Sequence, residues 1–248
     1  MASTYETGCV QNVANFETLI SYITAFGADY NPSKTSLKIP ELQKILSDAK
    51  VSLNAVNVAF SAHSNAIAAR ESAFEPLSKL VTRVNNALKA TDTTTQVDDS
   101  AKTIVRKIQG TRASAKLTEE QKQALAAEGK EVNQVSASQM GFNDRIENFD
   151  KLITLLSSIP NYTPNEEELK IESLTAYLND LKSKNAAVLP LEVQLSNARI
   201  LRNDIQDRPL TGLIDAALDS KVYIKSVFGA SSPQYKQISK LAFVKRKK

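Results

Sequence analysis

The chain has 248 residues, of which 42% are hydrophobic and 23% charged, as is usual for a globular protein. Seven glycines, eight prolines and no tryptophan suit long helices and argue against an all-β or Rossmann-type fold. The formal net charge of +4 equals the charge of the last four residues, Lys245, Arg246, Lys247 and Lys248. Residues 1–244 therefore sum to zero, and the body lacks the excess of basic residues typical of nucleic-acid-binding domains.

The first predicted element is an amphipathic helix over residues 11–26. Apolar residues recur at the spacing of three and four that puts them on one helix face: Val13, Phe16, Ile20 and Ile23. Gly27 should end this helix, and the segment 30–33, Tyr-Asn-Pro-Ser, indicates a turn. A second helix is predicted to begin near Leu37, with Pro40 in its first turn.

A 3.5-residue apolar period then runs from Ile39 to Leu88, and we refer to its positions as the seam. They are Ile39, Leu42, Leu46, Ala49, Leu53, Val56, Phe60, His63, Ile67, Arg70, Phe74, Leu77, Val81, Val84 and Leu88. A strand would show a two-residue period, so the pattern predicts a long helix with a partner along its seam. In this register Leu53 and Phe60 should be buried, whereas Ser52 and Ser61 should face away.

Prolines interrupt both long-helix patterns. The seam continues through Pro76 without a change of phase, which favours a kink there over a turn and a new helix. A turn is the alternative at Pro76 and at Pro209. Pro190 lies in a second long pattern whose seam is also interrupted by Asn185 and Glu192, so that helix should kink or break near the proline.

The order of motifs repeats after an offset of 132 or 133 residues, which indicates an internal duplication. The matched elements are Asn15-Phe16-Glu17 with Asn148-Phe149-Asp150, Leu19-Ile20 with Leu152-Ile153, Tyr30-Asn31-Pro32 with Tyr162-Thr163-Pro164, Leu37-Lys38-Ile39 with Leu169-Lys170-Ile171, and Leu42 and Leu46 with Leu174 and Leu178. The first copy spans residues 1–138, and the second copy, with the basic tail, spans 139–248. We expect the two copies to pack as one structural unit.

These patterns together predict an all-α fold, an elongated helical bundle. Each copy would consist of a short helix, a Tyr-x-Pro turn and a long amphipathic helix. Helices near 11–26 and 145–159 should be equivalent under a pseudo-two-fold axis, as should those near 37–75 and 169–205. An insertion in the first copy, Leu117–Gly129, has Thr118 three residues before Gln121, a capping-box pattern that predicts a further helix.

Four polar features could in principle carry chemistry. His63 is the only histidine and has no ligand-type residue at helical spacing, which favours a buried, hydrogen-bonded core residue over a metal ligand. Arg70 and Arg202 occupy equivalent seam positions, where a carboxylate partner is expected and anion binding is the alternative. The run Glu166–Glu168 follows a proline at a predicted helix start, where acidic side chains offset the helix dipole.

No catalytic, cofactor-binding or metal-ligating motif is present, so the sequence predicts no site residues, no cofactor and no enzyme activity. The single cysteine, Cys9, excludes an intrachain disulfide and a cysteine-based metal cluster. No apolar run approaches the length of a membrane span, and no signal peptide is evident. A cytoplasmic location is therefore expected.

By elimination, the sequence favours a non-enzymatic structural or protein-interaction bundle that binds a protein partner or itself. No small-molecule substrate is inferred. One alternative is a membrane-active bundle similar to helical pore-forming toxins, although no strongly apolar hairpin supports it. Weak nucleic-acid binding is the other alternative, and it would depend on Lys245, Arg246, Lys247 and Lys248 alone.

Overall fold

The computed structural model describes residues 4–112, 118, 120, 123, 127 and 140–245. These residues form α-helices, short 3-10 helices and connecting turns, with no strand among them, so the predicted all-α class is confirmed. Most of the predicted helix within Leu117–Gly129 lies outside the described residues.

We number the α-helices in chain order as follows: α1 (Thr4–Ala25), α2 (Ile39–Phe74), α3 (Leu77–Lys89), α4 (Thr95–Gln109), α5 (Phe142–Ser157), α6 (Ile171–Asp207), α7 (Leu213–Phe228) and α8 (Pro233–Ser239). Short 3-10 helices occur at Gly27–Asp29, Thr35–Leu37 and Glu167–Leu169. The four helices predicted from the duplicated pattern correspond to α1, α2, α5 and α6.

The chain divides into two compact units whose limits differ from those of the predicted copies. Unit 1 consists of residues 1–64 and 191–248, and unit 2 of residues 65–190. The unit limits fall inside α2 and α6. Each unit therefore combines one half of the first predicted copy with one half of the second.

The core of unit 1 forms where α1 packs against α7. Buried side chains of α1, including Phe16, Leu19 and Ile23, meet buried side chains of α7, including Leu213 and Ala217. The 3-10 turn Thr35–Leu37 and helix α8 also pack on α7. The apolar face of α1 that its sequence period predicts is thus covered by a helix about 190 residues further along the chain.

The core of unit 2 forms where α4 packs against α3 and α5. Leu77, Val81, Val84 and Leu88 supply the buried face of α3, at the three- and four-residue spacing of one helix face. The 3-10 turn Glu167–Leu169 packs on α3 in this unit.

The same tyrosine contact occurs at the entry to both long helices. In unit 1 the hydroxyl of Tyr30 donates to the carbonyl oxygen of Leu37 at 2.9 Å, and in unit 2 that of Tyr162 donates to Leu169 at 2.9 Å. Both tyrosines are buried, and both bonds close a loop of seven residues that ends in a 3-10 turn. The bond fixes the direction in which each long helix begins.

Pro76 and Pro190 affect the helical chain differently. Helix α2 ends at Phe74 and α3 begins at Leu77, so the kink predicted at Pro76 is wrong and the alternative, a turn, is found. The proline ring clashes with the preceding residue when that residue is helical, and this explains why α2 ends before Pro76. Helix α6 runs through Pro190 without ending, so of the two predicted outcomes, a kink or a break, the break does not occur, and the kink stays a prediction.

The seam register is wrong in the middle of α2. Phe60 is 53% exposed, Leu53 is half-buried, and Ser52, predicted to face away, is only 2% exposed. A straight α-helix repeats every 3.6 residues, so its buried face drifts from a strict 3.5-residue seam. Ser52 tolerates burial because its hydroxyl donates to the carbonyl oxygen of Ala49 at 2.8 Å.

Candidate interaction surface

Among the described residues, large apolar side chains are exposed more often on unit 1 than on unit 2. In the described part of unit 1 twelve are exposed: Val10, Val51, Val58, Phe60, Val193, Ile200, Leu201, Leu210, Leu218, Val222, Val227 and Val244. In the described part of unit 2 only Met140 and Leu189 are. Single exposed apolar residues are normal on protein surfaces, but so uneven a distribution between units of similar length calls for a physical reason.

Several of these side chains share a helix face within unit 1. Val51 and Val58 are seven residues apart on α2, and Val193 and Ile200 are seven apart on α6. Residues seven apart are two helical turns apart and lie nearly in line. Leu218 and Val222 form a third pair, four residues apart on α7. We call these three pairs the apolar pairs of unit 1.

Unit 2 carries an open cleft of about 550 Å³ between the C-terminal half of α3 and the turn that follows α5. Its lining is mostly polar and consists of Arg83, Asn86, Ala87, Ala90, Thr91, Asn161, Tyr162, Thr163, Pro164, Asn165, Glu166 and Leu169. An ion pair between Arg83 and Glu168 joins the two sides. Burial, and secondarily the charge of Glu166, raises the pKa of Tyr162 to about 12, so its hydroxyl stays a hydrogen-bond donor.

A tyrosine of unit 1 lies at the position on α7 that aligns with Ala87 of the cleft. The buried residues of α3, Leu77 to Leu88, recur on α7 as Leu213, Ala217, Ser220 and Ile224 at the same spacing. This register aligns Ala87 of the cleft with Tyr223. The ring of Tyr223 stands edge-on to that of Tyr30, with centroids 5.3 Å apart. The cleft in unit 2 therefore coincides with an alanine where unit 1 has a tyrosine.

The C-terminal segment 241–245 lies against α1 in unit 1. Lys245, the first residue of the basic tail, pairs with Asp215 at 3.1 Å. A hydrogen bond from the backbone of Leu210, followed by one from Lys245, lowers the pKa of Asp215. Arg246, Lys247 and Lys248 lie outside the described residues. The side chain of Lys245 is thus already engaged by a carboxylate of its own unit.

Two arginines in unit 2 stack on aromatic rings. The guanidinium carbon of Arg70 lies 4.0 Å from the ring centre of Phe142, and Arg70 donates to Asn185 at 3.4 Å. The guanidinium of Arg145 lies 5.3 Å from the ring centre of Phe74, and burial lowers its pKa. The two rings meet edge-on at 4.9 Å. Among the described residues Arg70 contacts no carboxylate, so the predicted carboxylate partner is wrong for it.

The other polar residues singled out from the sequence occupy separate places. Arg202 in unit 1 is buried and donates from Nε and Nη2 to Asn203 at 3.1 and 2.9 Å. His63 is half-buried and forms no hydrogen bond with another described residue, so the predicted buried, hydrogen-bonded histidine is wrong. Glu167 and Glu168 lie at the start of a 3-10 turn and pair with Lys170 and Arg83.

Sequence reasoning did not identify Asn12 and Gln206, which are completely buried in unit 1. The Asn12 amide donates to Gln206 Oε1 at 3.0 Å, and the Gln206 amide donates to the carbonyl oxygen of Cys9 at 3.1 Å. A polar residue at position 12, adjacent to the apolar stripe of α1, was the available signal. Its partner lies 194 residues away, where no periodic pattern points to it.

No family model, curated protein or solved structure matches the chain. No helix in the described part of the chain is long and apolar enough to cross a membrane. Nor do the described residues place three or more potential metal-ligating side chains together. Fold and surface are thus the observations on which a function can be argued.

Proposed function

We propose that this protein is a non-enzymatic protein-interaction bundle whose contact surface lies on unit 1. The observation that carries the proposal is the unequal exposure of large apolar side chains, twelve on unit 1 and two on unit 2 among the described residues. Burying apolar surface drives protein association and contributes about 25 cal/mol per Å² removed from water. A partner protein or a second copy of the chain would cover the apolar pairs. A cytoplasmic location stays part of this proposal.

We propose further that the bundle arose by duplication of one helical element with its Tyr-x-Pro turn. Positions 133 apart in α1 and α5 have matching burial, as Phe16 with Phe149 and Leu19 with Leu152 show. The ion pairs Lys50–Glu17, at 2.6 Å, and Lys182–Asp150, at 2.8 Å, also occupy matched positions. This proposal accounts for two units of similar construction, only one of which kept or acquired the apolar pairs. The elongated shape of the bundle remains a prediction.

The test removes apolar area from unit 1 without disturbing its core. Val193→Ser with Ile200→Ser, and separately Val51→Ser with Val58→Ser, replace exposed side chains and should change the free energy of unfolding little, within roughly 0.5 kcal/mol per site. The matched control is Leu189→Ser on the exposed surface of unit 2. Light scattering over a range of concentrations measures self-association, and affinity capture from the native source measures partner binding.

The proposal predicts that at least one double variant loses self-association or its captured partner while the Leu189→Ser control retains both. Unchanged assembly and capture by both double variants would contradict a contact through the apolar pairs on α2 and α6. Dye release from liposomes by the wild-type chain, abolished in the same variants, would instead assign the apolar pairs to a membrane surface.

A further inference from the structure

The C-terminal segment 241–245 is held by side chains of α1 that contact its backbone. The amide of Asn12 donates to the carbonyl oxygen of Val244 at 2.9 Å, and the backbone N–H of Val244 donates back to Asn12 Oδ1 at 2.8 Å. One turn further on, Asn15 donates to the carbonyl oxygen of Ala242 at 2.7 Å. These bonds resemble the ladder that a neighbouring β-strand would offer to an extended peptide.

A lysine on α7 also contacts the backbone of this region. Lys221 Nζ donates to the carbonyl oxygens of Ser239 and Leu241 at 2.9 and 3.0 Å. Asp215, also on α7, pairs with Lys245. We call the set formed by Asn12, Asn15, Lys221 and Asp215 the peptide groove.

Burial within the groove is greatest at Asn12, whereas Asn15, Lys221 and Asp215 are half-buried. Asn12 is completely buried, whereas Ala242 is exposed and Val244 is 50% exposed. Only Leu241 and Phe243 are half-buried against the core of unit 1. Without the segment, Asn12 would keep its bond to Gln206 Oε1 and lose its two bonds to the backbone of Val244. The groove thus contacts its occupant mainly through the occupant's backbone atoms.

At the matched positions of unit 2, the described side chains make different contacts. The counterpart of Asn15 is Asn148, whose amide donates to the carbonyl oxygen of Asp144 in its own helix. The counterpart of Asn12 is Arg145, which stacks on Phe74. Among the described residues, the bonds that Asn12 and Asn15 make to a backbone segment are thus found in unit 1 and not at the matched positions of unit 2.

We propose that the peptide groove of one molecule can bind segment 241–245 of a second copy of this chain in the place of its own. In both arrangements the groove makes the same contacts, so exchange between copies loses none of the described bonds. The segment belongs to an arm, residues 230–245, that leaves α7 at Gly229, whose φ of 89° is a conformation that few other residues adopt. Gly229 can serve as the hinge of this exchange.

The test uses the full chain with Gly8→Cys, Val244→Cys and Cys9→Ala. A Cβ built on Gly8 lies 3.6 Å from Val244 Cβ, within the range of about 3.5–4.5 Å that disulfides adopt. Isotopically heavy and light forms of the variant are mixed under reducing conditions, incubated at several concentrations and then oxidised. Mass spectrometry of the linked peptides shows whether positions 8 and 244 joined within one molecule or between two.

Exchange predicts linked peptides of mixed isotope content, in a fraction that rises with protein concentration. Linked peptides of one isotope only, at every concentration and incubation time, would overturn the exchange. The single variants Gly8→Cys and Val244→Cys, each with Cys9→Ala, identify linkage that arises by random collision.

A second measurement keeps the proposal testable if the cysteine variant folds poorly. Val244→Pro removes the N–H that donates to Asn12 and should release the resident segment. A labelled peptide of residues 239–245 should then bind the full-length Val244→Pro chain at least about tenfold more tightly than it binds the wild-type chain. The reason is that the chain's own segment no longer fills the groove. No binding of the peptide to a variant that retains the helical circular dichroism of wild type would contradict the site. Because the apolar pairs do not belong to the groove, this result is independent of the variants that test the proposed function.

Discussion

At the scale of single residues, the two tyrosine hydroxyls are the most informative polar contacts. Tyr30 and Tyr162 each close a seven-residue loop onto a carbonyl group in a buried environment. A buried carbonyl that loses its only side-chain donor keeps the cost of desolvation without the bond. The hydrogen bond therefore stabilises this particular turn, in addition to the stability that burial of the apolar ring contributes.

We predict that Tyr162→Phe lowers the free energy of unfolding by about 1–3 kcal/mol, because the carbonyl oxygen of Leu169 loses its donor. Tyr30→Phe should cost a similar amount. Tyr22→Phe is the matched control, since Tyr22 is half-buried and its hydroxyl bonds to no described residue. Denaturant unfolding measures all three, and equal effects of Tyr162→Phe and Tyr22→Phe would contradict the prediction.

The hydroxyl groups of Tyr162 and Tyr177 predict how the stability of unit 2 responds to alkali. Burial is the first cause of a pKa of about 12 for both Tyr162 and Tyr177, against an ordinary value of 10.0. Because the folded state retains these protons to higher pH than the unfolded chain, their contribution to stability is complete below pH 10. It is lost as the pH rises from 10 towards 12.

Absorbance of ionised tyrosine near 295 nm should therefore show a late phase that coincides with loss of helical circular dichroism. The double variant Tyr162→Phe and Tyr177→Phe should lack most of that phase. A late phase of full amplitude in this variant would show that other tyrosines produce it.

Phe60 shows where sequence reasoning about the core failed. Position 60 fits the 3.5-residue period of the seam. Its burial depends on which helix lies beside it, however, and a local sequence pattern does not contain that information. Phe149, matched to Phe16 by the repeat, is completely buried. Phe149→Ala should cost about 3–5 kcal/mol and Phe60→Ala about 1 kcal/mol or less. Thermal or chemical denaturation of the two variants measures both costs. A Phe60→Ala cost equal to that of Phe149→Ala would support the seam register predicted from the sequence.

At the scale of helices, the sequence predicted four of the eight described α-helices, and it placed the limits of α2, α5 and α6 within three residues. The predicted helix near 37–75 is Ile39–Phe74, and that near 169–205 is Ile171–Asp207. Apolar period and turn residues act locally, which is why these limits could be predicted. The end of α2 before Pro76 could not, because an unbroken apolar period obscured the turn.

The junction between α6 and α7 depends on a glycine for a steric reason. A Cβ at Gly212 would lie 2.6 Å from the carbonyl oxygen and 2.7 Å from the nitrogen of Arg208, both backbone atoms. We predict that Gly212→Ala destabilises unit 1 by at least about 1–3 kcal/mol, because the backbone must move to accommodate the methyl group. Gly27→Ala is the control.

At Gly27 the φ of 58° strains an alanine, but no atom lies within 4 Å of the added Cβ. Its cost should stay near 1 kcal/mol. Chemical denaturation measures both variants. A Gly212→Ala cost no larger than that of Gly27→Ala would show that the junction relaxes freely.

At the scale of the whole molecule, the compact units and the predicted copies divide the chain differently. The core of unit 1 joins residues 13–49 to residues 213–238, and the core of unit 2 joins residues 74–108 to residues 146–181. Both cores therefore contain residues from both predicted copies. A sequence repeat indicates which segments are alike. It does not determine whether a segment packs against its own copy or against the similar surface of the other copy. The same limit applies to the candidate site, since Asn12 and Val244 are 232 residues apart.

This division makes a prediction about a cut chain. A protease site inserted between residues 128 and 139 separates the two copies covalently without interrupting a described residue. Each fragment then holds half of each unit, so the fragments should co-elute at the mass of the intact chain and part only in denaturant. They must remain together because separation would expose the apolar faces of α1 and α7 in one unit and of α4 and α5 in the other. If cutting instead yields two folded particles that separate in native buffer, the copies 1–138 and 139–248 are the folding units. Uncut protein that carries the same insertion controls for the effect of the inserted residues.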